Sequence, residues 1–113
     1  MSAAAEKYGH TVMLHLKGDL SADTLEALKK SVEHNLADKD IIDVALNLEQ
    51  VTFIDSAGLE YLLDLQDRLA ERLGQVKLIK PEEHVRKILE ITRLSPIFEV
   101  YQDVQEAVKA LAV

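Results

Sequence analysis

No cysteine occurs in the sequence, which removes disulfides and thiolate metal sites from consideration. The four histidines, His10, His15, His34 and His84, are scattered, with no helical i, i+4 pair of the kind that ligates a metal, so no metal site is expected. Basic residues are outnumbered, 13 Lys and Arg against 20 Asp and Glu, for a net charge of −7. Phosphate backbones need a basic stripe and none is present, so a nucleic acid is not expected as the main partner. A basic protein, or a positively charged groove on one, suits this charge better. No apolar run approaches the roughly 20 residues of a membrane span, and direct membrane insertion is not expected. Neither Gly-x-x-x-x-Gly-Lys nor Gly-x-Gly-x-x-Gly occurs, which argues against NTP-using chemistry, and no cofactor is expected.

With 48% hydrophobic and 29% charged residues, the 113-residue chain has the composition of an ordinary globular protein and the length of one domain, taken as residues 1–113. Ser2-Ala3-Ala4-Ala5 lacks the basic and apolar regions of a signal peptide. Residues 1–7 are therefore read as a loose N-terminal end, and the protein is expected to be cytoplasmic.

Val12, Leu14 and Leu16 alternate with Thr11, Met13 and His15, the period of a strand, and Gly18 ends it. Leu25, Leu28, Val32 and Leu36 recur at helical spacing, with Asp23 and Glu26 as an N-terminal capping pair. Val44, Leu46 and Leu48 predict a second strand, continued by Val51 to Ile54 after an irregularity at Glu49-Gln50. A helical stripe of Leu59, Leu62, Leu63, Leu69 and Leu73 follows, with Gly74 as its C-terminal cap. Val76 to Lys80 reads as a short strand, and Pro81 opens a helix whose inward residues are Val85, Ile88, Leu89 and Thr92. Ile97 to Tyr101 predicts a last strand, and Asp103 with Glu106 caps a helix striped by Val104, Ala107, Val108 and Leu111. Strand and helix alternate four times, which predicts an α/β fold with a largely parallel sheet and right-handed crossovers.

The most informative stretch is Val51-Thr52-Phe53-Ile54-Asp55-Ser56-Ala57-Gly58-Leu59, where a strand runs into a helix through an acidic-serine turn. A serine at such a junction is either a cap for an unpaired backbone N–H or a surface hydroxyl at which added negative charge is tolerated. Asp55 is either a second cap or an orienter of that hydroxyl. Glycine in a first helical turn costs about 1 kcal/mol relative to alanine, so Gly58 implies close approach by a backbone or a ligand. Two catalytic readings fit poorly. A nucleophile elbow needs glycine two positions before the serine, where Ile54 stands, and only His84 lies downstream as a base. A receiver-type phosphoaspartate at Asp55 needs an acidic pair after the first strand, where Asp19 is alone, and a lysine where Tyr101-Gln102 stands. The chain is therefore not expected to be an enzyme.

Two stretches together resemble the STAS domain family and its single-domain anti-sigma factor antagonists. One is Leu16-Lys17-Gly18-Asp19-Leu20-Ser21-Ala22-Asp23-Thr24, similar to that family's Gly-acidic-Leu turn; the other is Phe53-Ile54-Asp55-Ser56-Ala57-Gly58-Leu59. The resemblance implies a STAS-like sheet of four to five mostly parallel (mixed) strands with four helices packed on it. It implies a partner-switching regulator that binds an anti-sigma factor, itself a serine kinase, and is released on phosphorylation at Ser56. A serine phosphatase would restore it. The implied docking face comprises Gly18, Asp19, Leu20, Ser21, Asp23, Asp55, Ala57, Gly58, Leu59 and Glu60; no oligomeric state is implied. Ser21 stands where family antagonists commonly carry aspartate, and Glu60 where many carry a small or basic residue. The alternative within the family is an accessory subunit docking constitutively on a transporter or lipid-transport ATPase, with Ser56 a cap only.

Overall fold

A computed structural model describes residues 1–111. Its sheet has five strands in spatial order β1 (Ser2–Tyr8), β2 (Thr11–Lys17), β3 (Asp43–Gln50), β4 (Val76–Ile79) and β5 (Glu99–Tyr101). β1 pairs antiparallel with β2, and every later pairing is parallel, so the sheet is mixed. The helices are α1 (Leu25–Leu36), α2 (Ser56–Ala70), α3 (Glu83–Ile91) and α4 (Val104–Leu111).

Strand alternation separates two apolar layers. Val12, Leu14, Val44, Leu46, Val76 and Leu78 point to one face, where α1, α2 and α3 cover them with Leu28, Val32, Leu62, Leu65, Leu69, Val85 and Leu89. Met13, Ala45, Ile79 and Tyr101 point to the other, where α4 lays Ala107 and Leu111 on them. Thus Met13, on the less apolar side of its strand by pattern, is also fully buried.

The N-terminal segment corrects the sequence reading. Ser2–Tyr8 is not a loose end but an edge strand, joined to β2 by a two-residue turn whose Gly9 has φ +59°. Glycine first is what a type II′ hairpin requires. Glu6 secures the hairpin by accepting from the Tyr8 hydroxyl at 2.7 Å and pairing with His15 Nε2 at 2.7 Å, while His15 Nδ1 meets Asn47 Nδ2 at 2.9 Å.

Helix ends differ from expectation too. Thr24, not Asp23, occupies the N-cap position of α1 and makes no capping bond there, whereas Asp103 caps α4 as the pattern indicates, its Oδ1 accepting from Glu106 N at 2.7 Å. β3 ends at Gln50, and of Val51 to Ile54 only Ile54 forms a strand-like bridge, to Leu20. Leu73 is 93% exposed and itself takes the left-handed conformation at the end of α2, φ +64°; Leu65 fills the core position. Gly74 is required for another reason, since a β-carbon there would overlap the Ile42 carbonyl oxygen. Thr92 is exposed at the end of α3. Ser95–Ile97 is a 3₁₀ turn, so β5 begins only at Glu99.

Two arginines that read as solvated surface tie α1 to α2. Arg68 makes a bidentate pair with Glu33, and Arg72 donates to the Leu36 and Ile41 carbonyls at 2.9 Å each, satisfying one backbone oxygen at the end of α1 and one in the loop that follows it.

Candidate functional site

The two motif stretches meet in space. Leu20 N donates to the Phe53 carbonyl at 2.9 Å, and Asp55 N donates to the Leu20 carbonyl at 3.2 Å, so the loop after β2 is stitched to the entry of α2 like one extra strand pair. Thr24 folds that loop on itself: its hydroxyl donates to the Asp19 carbonyl at 2.5 Å and accepts from Ser21 N at 3.0 Å. Thr24 is a site residue that the motif alone did not single out. Its signal was the hydroxyl three residues after Ser21, the spacing of a local side-chain to backbone turn.

Asp55 is the N-cap of α2, in extended backbone, with Oδ1 accepting from Gly58 N at 2.9 Å and Oδ2 from Ala22 N at 3.1 Å. One carboxylate thus fastens the helix start and the loop at once. These backbone donors, Gly58 first and Ala22 next, hold its pKa below the ordinary aspartate value of 3.8. A group with a depressed folded-state pKa contributes stability above its unfolded value and loses it as pH falls through the folded one. Asp55→Asn is therefore expected to be less stable than the parent at neutral pH, with the gap closing below about pH 4. Thermal melts of both proteins across the acid range measure this; a gap independent of pH would show that the charge of Asp55 is irrelevant to the junction.

Because Asp55 takes the capping bond, Ser56 does not. Ser56 is the first residue of α2 and is exposed, and among the described residues its hydroxyl has no hydrogen-bond partner. Gly18, Asp19, Asp23 and Glu60 are exposed around it, and Ser21, Asp55, Ala57 and Leu59 are half-buried. Two members of the expected docking face lie inside. Leu20 is fully buried, and Gly58 is buried because a β-carbon would overlap the Leu20 carbonyl oxygen and stand 2.9 Å from Ile54 Cγ1. The close approach that Gly58 permits is therefore internal. Phe53, 43% exposed, adds an apolar side chain that strand periodicity had hidden.

Beside the turn, Leu25, Lys29, Ala57, Glu60, Tyr61 and Asp64 line a shallow groove of about 250 Å³ between α1 and α2. Lys29 Nζ lies 5.8 Å from the centre of the Tyr61 ring. Burial, with the Glu33 charge, pushes the Tyr61 phenol up to about 12, so it stays neutral.

The STAS domain family model matches residues 2–107, both motif stretches included. The chain belongs to the STAS domain family. Among curated STAS relatives, the anti-sigma F factor antagonist of Lysinibacillus sphaericus is 26% identical over 86 residues, 76% of this chain and 74% of that protein. An anti-sigma factor antagonist from Mycobacterium paratuberculosis superposes with a TM-score of 0.83 at 20% identity, over 99% of this chain and 94% of that one. The antagonist SpoIIAA has been solved unphosphorylated, TM-score 0.80 at 23% identity over 96% and 95% of the two chains. Its phosphorylated form, from Bacillus, gives 0.74 at 22% over 96% and 98%. The mixed five-stranded sheet and four helices are the STAS fold. No helix among the described residues is long and apolar enough to cross a membrane.

Proposed function

We propose that this STAS domain is an anti-sigma factor antagonist of a partner-switching system. It binds an anti-sigma factor that is also a serine kinase while Ser56 is unmodified, and is released when that kinase phosphorylates Ser56; a serine phosphatase reverses the step. The observation that carries the reading is the division of labour at the start of α2. Asp55 satisfies the helix end, which leaves the Ser56 hydroxyl exposed and unneeded for folding. The names of the relatives support the same role, and one of them has been solved in a phosphorylated form.

A phosphate on Ser56 adds about −1.5 to −2 charge at neutral pH. The amide dipoles of α2 favour that charge, while Asp55, Asp19 and Asp23 already make the surroundings acidic. The domain keeps its fold, and the docking face becomes more negative, desolvated at greater cost and repelled by acidic groups on the partner. Leu59, Phe53 and the groove beside Glu60 supply apolar and polar contact area next to the switch.

Peptide mass spectrometry of the protein from its native cells is expected to find phosphate on the peptide containing Asp55-Ser56-Ala57-Gly58, and Ser56→Ala to abolish it without loss of stability. Phosphate persisting on Ser56→Ala would place the switch elsewhere. An unmodified serine under growth and stress alike would favour constitutive docking on a transporter or lipid-transport ATPase.

A further inference from the structure

We infer that the outer edge of β1 is a dimerisation edge, through which two copies of this chain join their sheets into one of ten strands. β1 lies at the margin of the sheet and is seven residues long, whereas β5 at the other margin has three. Edges are ordinarily blunted by charges, proline, bulges or brevity. From Ser2 to Ala5 this one carries none of these, only small side chains with Ala4 and Ala5 exposed, and its pairing with β2 runs unbroken from Ser2 to Tyr8. Alanine has little intrinsic preference for strands, so the segment gains from being paired on both sides.

The occupant follows from register. In a two-residue hairpin the closing pair, Tyr8 and Thr11, exchanges both backbone bonds. By alternation, Tyr8, Glu6, Ala4 and Ser2 direct their N–H and C=O inward to β2, and Ala3, Ala5 and Lys7 direct theirs outward. An antiparallel two-fold pairing places a residue opposite its own copy at the axis, with side chains of opposite residues on the same face. Centring on Glu6 or Lys7 sets like charges opposite each other. Centring on Ala5 sets Ala5 against Ala5, Ala3 against Lys7 and Ala4 against Glu6, with no like-charge pair. In that register all three outward-facing residues of each copy meet outward-facing residues of the other. The edge is thus complementary to itself in hydrogen bonding, and this register sets no like charges opposite one another. Because the strands run oppositely, the two Ser56 turns point to opposite ends of the joined sheet, and both remain open. This proposal rests on β1 alone and not on the reading of Ser56.

The test is sedimentation equilibrium of the full chain from micromolar to millimolar concentration, joined to oxidative cross-linking of two cysteine variants. The parent is expected to dimerise. Ala5→Pro removes an N–H that faces outward, where proline is tolerated, so it is expected to fold and to raise the dissociation constant about tenfold or more, since each copy loses a bond at the axis. Ala5→Cys, in a chain with no other cysteine, is expected to oxidise to a covalent dimer, because opposite α-carbons in a hydrogen-bonded pair lie about 5.5 Å apart. Lys7→Cys, with its copies roughly 14 Å apart, is not. A chain monomeric throughout overturns the proposal, as does a dimer indifferent to Ala5→Pro. Unfolding by Ala5→Pro would show that this N–H faces β2, and cross-linking of the Lys7→Cys variant in place of the Ala5→Cys variant would show a different register; either overturns the assignment.

Discussion

Leu20→Ala is expected to lower the stability of the domain by about 3 kcal/mol, within the 2–5 kcal/mol typical of buried leucine truncations, which for a chain of this size lowers the melting temperature by roughly 12 °C. By motif, Leu20 belongs to a turn that meets a partner; by position it is fully buried, with its backbone hydrogen-bonded to Phe53 and Asp55. A residue used only for docking would leave the melt unchanged when truncated. Calorimetry of Leu20→Ala therefore separates the two roles: an unaltered transition would mean that the loop is not anchored by this side chain.

Gly58→Ala is the second large effect. Alanine would ordinarily stabilise a helical position by up to about 1 kcal/mol relative to glycine. Here the added methyl overlaps the Leu20 carbonyl oxygen and crowds Ile54 Cγ1 and Leu20 Cγ, at 2.9 and 3.1 Å. Overpacking of this kind costs about 1–3 kcal/mol or more when backbone must move, so the net change is a loss of about 2 kcal/mol and roughly 8 °C. Relief can come only by pushing α2 away from the loop, which strains the bonds from Asp55 to Gly58 N and Ala22 N. The two substitutions touch one another and are not expected to add. Leu20→Ala removes the crowding by Leu20 Cγ but leaves the carbonyl and Ile54 Cγ1, so the double variant recovers only part of the loss from Gly58→Ala. A Gly58→Ala protein as stable as the parent would show that α2 and the loop are not packed as described.

Sequence periodicity exposed the elements whose burial is one-sided. Leu25, Leu28, Val32 and Leu36, or Val104, Ala107, Val108 and Leu111, repeat at the spacing of their helix because one face meets the core. β1 escaped because an edge strand of alanines is barely buried and carries almost no alternation to read. Leu73 misled because helical spacing continues past the point where the chain turns left-handed, and only the close approach of Ile42 to Gly74 fixes that point. At the site, the motif marked the right neighbourhood but not the roles. Asp55 and Ser56 are both capping residues by type, and only the backbone angles at Asp55 decide which one caps. Leu20 and Gly58 are conspicuous in the motif, and spacing cannot distinguish a residue turned toward a partner from one turned inward.

The antiparallel hairpin has a consequence for the order in which the molecule is made. Tyr8 meets Thr11 across three positions of chain, whereas Thr11 meets Asp43 across 32 and Leu20 meets Ile54 across 34. Closing the longer loops costs about 2 kcal/mol more in chain entropy, and that cost is met only when α1 has formed and packed. The hairpin is thus expected to form early, as a local event, and the surface around Ser56 to be among the last things assembled, since it exists only where two distant segments lie side by side. On the reading proposed for Ser56, a kinase that recognises this surface reads completed folding together with the serine, and a half-folded chain presents the serine without the surface.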